Sequence, residues 1–378
     1  MALLAAAASP RAEAFRREVR AFLAEELERG SFVFGRGGFD PEFSRRMGAR
    51  GLLGLTWPRE YGGHERSALE RHVMTEEVLA HGAPVRAHWV ADRQSGPSIL
   101  RFGTEAQKRE FLPRIAAGEL YFCIGMSEPD SGSDLASIRT RARQVEGGWR
   151  IEGRKIWTSN AHRVQMMILF ARTAPPGEDR HAGVSQFLVA TDSPGITIRP
   201  VINLAGQHDF NEVTFDDVFV PDDRVLGTIG EGWKQVTGEL VFERSAPDRW
   251  LSTQPVLTGL VDHLGKDAPA EADGAVGRLV AHLWTLRQMS LGIARIVEEG
   301  GQPQVEAALV KDLGTTYEQE VPEVARRLLS EEALAGLPQG DDYARVLATG
   351  QLHAPSFSIR GGTREVLRGI VARGLGLR

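Results

Sequence analysis

Cys123-Ile124-Gly125-Met126-Ser127-Glu128-Pro129-Asp130-Ser131-Gly132-Ser133-Asp134 is answered some twenty residues later by Lys155-Ile156-Trp157-Thr158-Ser159-Asn160. Each is a short hydroxyl-rich loop leaving an apolar run. Hydroxyls and backbone N–H groups in such loops reach the polar edge of a flat ring, while apolar side chains cover its face. Between them Trp149-Arg150-Ile151 follows a Glu146-Gly147-Gly148 turn, the pattern of a hairpin. The two loops are therefore expected to flank one small β unit.

Outward from this stretch the texture changes on both sides. Met166-Met167-Ile168-Leu169-Phe170 and Phe187-Leu188-Val189 are short continuous apolar runs, and Val213, Phe215, Val218 and Val220 alternate with polar residues up to Pro221. Short strands punctuated by Gly and Pro over residues 121–228 predict a small antiparallel barrel or sandwich. Residues 1–120 read as helices: Phe15, Val19, Phe22 and Leu23 recur at helical spacing, and Met74, Val78 and Leu79 repeat it. Ser9 with Pro10 marks a helix start, and Thr104 with Gln107 forms a capping box. Residues 229–378 return to long helices, with Asp341-Asp342 as a helix cap. The fold class is α+β, in the order helices, strands, helices.

The chain has 378 residues, 42% of them hydrophobic, enough for a large core and two or three domains. With 45 basic and 50 acidic residues, and no basic stripe, it is not expected to bind nucleic acid. The single cysteine, Cys123, excludes an intrachain disulfide and a cysteine metal cluster, which suits a reducing cytoplasm. Met1 to Ala8 is apolar but too short for a signal core, and no run approaches the ~20 residues of a membrane span. His162, His208 and His353 stand alone, so no metal site is expected.

Ser127-Glu128-Pro129 with Gly132-Ser133-Asp134, then Lys155-Ile156-Trp157-Thr158-Ser159, Phe210-Asn211-Glu212-Val213, and finally Gly362-Thr363-Arg364-Glu365-Val366-Leu367-Arg368 stand in the order and spacing of the acyl-CoA dehydrogenase family, which the chain resembles over nearly its whole length. The resemblance implies an N-terminal helical domain, a middle β domain and a C-terminal four-helix bundle, with FAD between the last two. It implies that Met126 and Ser127 meet the flavin ring, that Trp157 packs on it, and that Thr158 and Ser159 approach its reactive edge. Ser133 and Arg244 are then on the substrate side, and Thr363 and Glu365 on the FAD side of the last helix. The substrate implied is an acyl-CoA or acyl-carrier-protein thioester, and the electron acceptor an electron-transferring flavoprotein.

The chemistry implied is removal of a proton from Cα and of a hydride from Cβ. A weak carbon acid needs a carboxylate base and donors on the thioester oxygen. Many family members carry the base just before the final Gly-Thr, where this chain has Gly361. A subset resembling long-chain and isovaleryl-CoA dehydrogenases carries it on the first C-terminal helix, where Leu240-Val241-Phe242-Glu243-Arg244 stands. Glu243 is therefore the expected base, with Glu239 one turn earlier as the weaker candidate. Gly361 is the expected backbone donor to the thioester oxygen. Pro247, unable to donate to the Glu243 carbonyl, is expected to kink that helix. The family's Arg-x-x-Phe-Gly and Gln-x-x-Gly-Gly-x-Gly segments are missing. A homodimer is expected, with a heteromer, in which this chain shares or completes a partner's FAD site, as the alternative. An oxygen-using flavoenzyme on the same scaffold is a further reading.

Overall fold

The computed structural model describes residues 9–377 except 176, 266, 267, 269, 330–335 and 337–340; for 239–245 it describes the backbone alone. The chain forms two compact units, each assembled from separate segments: Phe39–Glu65 with Val85–Leu240, and Met1–Gly38 with Arg66–Pro84 and Val241–Arg378.

The first of these units is built on an eight-stranded sheet. Its strands are β1 (Phe122–Gly125), β2 (Arg141–Val145), β3 (Gly148–Lys155), β4 (Met166–Arg172), β5 (Val184–Ala190), β6 (Ile196–Ile202), β7 (His208–Pro221) and β8 (Val225–Leu226). They run in the order β6-β7-β3-β2-β4-β5-β8, with β1 also on β4. Most pairs are antiparallel, including the β2–β3 hairpin read from Gly147-Gly148. Two are parallel instead: β1 on β4, pairing Phe122 with Met166 through Gly125 with Leu169, and β2 on β4 at Arg141–Arg172. Parallel neighbours need a long crossover. Residues 126–165 supply it for β1, and both candidate loops lie within that crossover.

The period of two explains the continuous apolar runs. In β4, Met167, Leu169 and Ala171 enter one core with Trp149, Ile151, Phe187, Val213 and Phe215. Ile168 enters the other, with Phe122, Leu188, Leu226 and Phe111, Leu112 and Ile115 of a helix. A strand buried on both faces has no polar alternation. The helices of this unit are α2 (Pro41–Ala49), α4 (Gly96–Phe102) and α5 (Glu105–Ala116). Thr104 and Gln107 form the expected capping box of α5. The Gln107 amide also donates to the carbonyls of Asp223, 2.7 Å, and Val225, 2.9 Å, fixing α5 to the end of β7 and to β8.

The second unit is helical: α1 (Pro10–Glu28), α3 (Ala68–Ala80), α7 (Gln254–Leu264), α8 (Ala270–Glu298), α9 (Gln304–Leu328), α10 (Tyr343–Phe357) and α11 (Arg364–Gly374). Ser9 caps α1 with Pro10 in its first turn. The Asp341 carboxylate accepts the Tyr343 N–H at the start of α10, whereas Asp342 is taken by Arg36. The core contains Trp250, Leu286, Tyr317, Val321, Val324 and Leu347. Helix α9 lies so close to the turn at Arg249 that a Cβ on Gly314 would meet the Arg249 carbonyl oxygen at 2.3 Å. Helix α6 (Gly232–Ser245) begins in one unit and ends in the other. The kink expected at Pro247 is absent. Because the residue before a proline avoids the helical region, Ala246 is extended, α6 stops at Ser245, and Pro247 opens a short 3-10 turn.

Buried charge holds α1, α3 and α8. Arg16 donates to Glu76 at 2.7 Å and also to Glu77, Arg287 reaches Glu76 at 2.8 Å, and His72 lies 3.3 Å from it. Burial alone would raise the Glu76 carboxyl; His72, Arg287 and Arg16 outweigh it and hold it below the carboxylate range. A depressed carboxyl contributes stability above the unfolded value, about 4.3, that is lost as pH falls through the folded one. Glu76→Gln is expected to cost about 3 kcal/mol in urea denaturation at neutral pH. It is also expected to flatten the loss of stability that wild type shows below about pH 4.

Candidate functional site

The site starts where β1 ends. After Gly125 the chain turns, and Glu128 and Ser131 exchange backbone hydrogen bonds of 2.8 and 3.0 Å, pinching off the loop around Pro129. Lys155, the last residue of β3, is fully buried, and its Nζ donates to the Met126 carbonyl and to Glu128 Oε1, both at 2.9 Å. The same carboxylate accepts the N–H groups of Arg139, 2.6 Å, and Thr140, 2.8 Å. Burying two charges is costly unless every lone pair and proton is used; here the carboxylate has three donors. Burial would raise Glu128, but Lys155, Thr140 and Arg139 hold it below its ordinary value. Burial pulls the Lys155 ammonium down to about 8, against the attraction of Glu128.

This pair joins the two loops, and a backbone bond from Ile156 N–H to the Ser127 carbonyl, 2.9 Å, completes the join. Beyond it the second loop leans on β7 with a period of two. The Thr158 N–H donates to the Asn211 carbonyl, 3.1 Å, and the Asn160 N–H to that of Asp209, 2.8 Å. Among the described residues, the intervening N–H groups of Trp157 and Ser159 have no acceptor, nor has that of Ser127. Trp157 and Asn160 are left-handed, with φ of 62° and 56°. Asn tolerates this; for Trp it costs on the order of 1–3 kcal/mol. The indole is 57% exposed, touching Phe210 edge-on at 5.8 Å. A strained backbone thus presents a large apolar face beside a row of open donors, with the half-buried Ser127 and Ser159 hydroxyls among them.

Asn211 is the second anchor. Its Nδ2 donates to the Thr158 carbonyl at 2.9 Å, so its Oδ1 is the acceptor for His208 Nε2 at 2.7 Å, and His208 carries its proton on Nε2. His162 and His208, isolated in sequence, are stacked with ring centroids 3.6 Å apart. Burial, then His208, pushes the His162 imidazole below its ordinary value. No group of metal-ligating residues occurs among the described residues.

Met126, Ser127, Ser133, Trp157, Thr158 and Ser159 all lie in the sheet unit. The Thr158 side chain is buried with its hydroxyl unpartnered, and Ser133 is exposed on the first loop. Gly361, Thr363 and Glu365 lie together in the helical unit. There Arg360 donates to Glu318 and Ser252, both at 2.8 Å, and stacks over Phe357. Gly361 and Gly362 follow in left-handed conformation, φ 67° and 100°, and Thr363 caps α11 by accepting the Val366 N–H. Glu365 is exposed in the first turn, its carboxyl lowered by its own backbone N–H and by Thr363. Glu243, Arg244 and Glu239 lie on α6, and their side chains are outside the described residues. Sequence reasoning quoted Glu128, Lys155 and Asn211 without giving them a role. A lysine in the inward register of Trp149 and Ile151, on a strand whose other charges alternate outward, is the available signal.

Three family models match the chain: acyl-CoA dehydrogenase N-terminal domain over residues 9–119, middle domain over 123–218 and C-terminal domain over 271–376. The acyl-CoA dehydrogenase IpdE1 of Mycobacterium tuberculosis is 36% identical, with 97% of each chain covered. Among solved structures, the Tcur3481-Tcur3483 steroid ACAD is 30% identical with a TM-score of 0.88 over all of both chains. The ChsE4-ChsE5 complex from Mycobacterium tuberculosis is 31% identical with a TM-score of 0.83, covering 99% of this chain and 100% of that one. No helix among the described residues is long and apolar enough to cross a membrane.

Removing one partner of the clamp leaves the other buried and uncompensated. Lys155→Met is expected to lose about 3–5 kcal/mol in chemical denaturation. Lys155→Met/Glu128→Gln, which removes both charges, is expected to recover most of that loss.

Proposed function

Since this chain belongs to the acyl-CoA dehydrogenase family, an oxidoreductase family whose cofactor is FAD, we propose that Glu243 is the base that takes the α-proton of an acyl thioester. Glu243 is assigned from its place in the sequence on α6, and the observation that carries the flavin-binding part of the reading is the pair of clamped loops with open N–H groups and an exposed, strained Trp157. Such a surface fits the flavin ring, whose edge is rich in acceptor atoms and whose face is apolar. Met126, Ser127, Trp157, Thr158 and Ser159 would hold the ring, and Thr363 and Glu365 are assigned to FAD from their place in the family pattern. Bound FAD supplies the two-electron chemistry, accepting the hydride from Cβ.

The chain's own residues have three tasks. Glu243, on the segment of α6 that precedes the 3-10 turn, takes the proton from Cα. The Gly361 N–H donates to the thioester oxygen and stabilises the enolate-like charge. Gly361 also leaves without a side chain the position at which many family members carry their base. Ser133 and Arg244 are assigned to the substrate, and an electron-transferring flavoprotein to reoxidation.

A two-chain assembly acting on a bulky, ring-bearing acyl-CoA is favoured over the homodimer by one observation. Two whole-length relatives at about 30% identity carry the names of two chains, one of them called a steroid ACAD and the other a complex. In such an assembly the partner supplies the grip on FAD that the missing Arg-x-x-Phe-Gly and Gln-x-x-Gly-Gly-x-Gly segments give elsewhere.

The test is anaerobic bleaching of bound flavin by a panel of acyl-CoA thioesters, steroid side-chain thioesters among them. Wild type is expected to bleach, and Glu243→Gln to keep its FAD and slow the reductive step roughly 10²–10⁴-fold. Equal bleaching by the two proteins would remove Glu243 from the mechanism. Yellow colour appearing only with a second subunit would select the heteromer.

A further inference from the structure

Two peptide groups in the site share one construction. The Met126 carbonyl accepts from Lys155 Nζ at 2.9 Å, and the N–H of that same peptide, belonging to Ser127, has no acceptor among the described residues. The Thr158 carbonyl accepts from Asn211 Nδ2 at 2.9 Å, and the N–H of that peptide, belonging to Ser159, is open as well. A donor on the carbonyl oxygen withdraws electron density from the amide nitrogen, so the N–H on the other side becomes the stronger donor. The effect is largest for a cation kept out of water, and Lys155 has no exposed surface. Asn211 is in turn oriented by His208. Glu128 balances the ammonium, yet the positive end of that pair rests directly on the Met126 carbonyl.

We propose that Lys155, assisted by Asn211, is an electrostatic positioning residue that polarises the Met126–Ser127 and Thr158–Ser159 peptides toward negative charge and thereby favours the reduced form of bound flavin over the oxidised form. The inference rests on the FAD-binding reading above. It assigns the buried lysine a part in setting the redox poise, beyond joining the loops. A purely structural lysine would change stability and FAD affinity while leaving the relative affinity for the two oxidation states untouched.

The experiment compares the midpoint potential of FAD bound to wild type, Glu128→Gln, Lys155→Met/Glu128→Gln and Lys155→Arg/Glu128→Gln, by dye-equilibrated anaerobic titration without substrate. The Met double variant is expected to lose about tenfold in preference for reduced flavin relative to Glu128→Gln, about 30 mV for a two-electron couple. The Arg double variant, which keeps the cation, is expected to restore most of the shift. Equal potentials in Glu128→Gln and the Met double variant, both folded and yellow, would overturn the inference. Wild-type protein unable to take up FAD would instead overturn the reading on which it rests.

Discussion

The Glu128–Lys155 ion pair is the constraint on which the site depends. It lies where β1 and β3 release their loops, and it is reached by main-chain groups of Met126, Arg139 and Thr140 from one side and by the Lys155 side chain from the other. A buried pair is not by itself a source of stability, because desolvation offsets most of the attraction. What it provides here is position. The carboxylate has donors on every side, so the loops have one low-energy arrangement, and the strained Trp157 is held against its own backbone preference.

The rest of the sheet unit follows from that requirement. For the loops to start side by side, β1 has to pair with β4 in parallel while β3 stays in its hairpin with β2 and reaches β7 on its other side. β7 then brings Asp209 and Asn211 under the second loop, where their carbonyls take the N–H groups of Asn160 and Thr158. The N–H groups of Trp157 and Ser159, on either side of Thr158, have no acceptor among the described residues, as a surface that receives an acceptor-rich ring requires. Structure and chemistry are thus linked through backbone hydrogen bonding more than through side chains.

Much of this was legible in the sequence, for local reasons. Helix starts at Ser9 and Thr104 depend on side chains within three residues, and the β2–β3 hairpin on adjacent glycines. The order helices, strands, helices followed from periodicity, and the loops were recognisable as family motifs. What was not legible depends on pairing across the chain. Nothing local tells that Lys155 meets Glu128, or that His208 stacks on His162 and orients Asn211. The parallel pairing of β1 was hidden because apolar strands buried on both faces read alike in either direction. Pro247 was misread through its own missing N–H, when the stronger effect is on Ala246 before it, which ends α6.

The central claim is that a clamped pair of loops offers the open N–H groups of Ser127 and Ser159 to the flavin. The most direct measurement is residue-resolved amide hydrogen exchange across residues 122–162, with and without FAD. Ile156, Thr158 and Asn160 are expected to be protected in both states, while Ser127 and Ser159 gain protection only when FAD is bound. Protection arising elsewhere, with these two amides unchanged, would contradict the account.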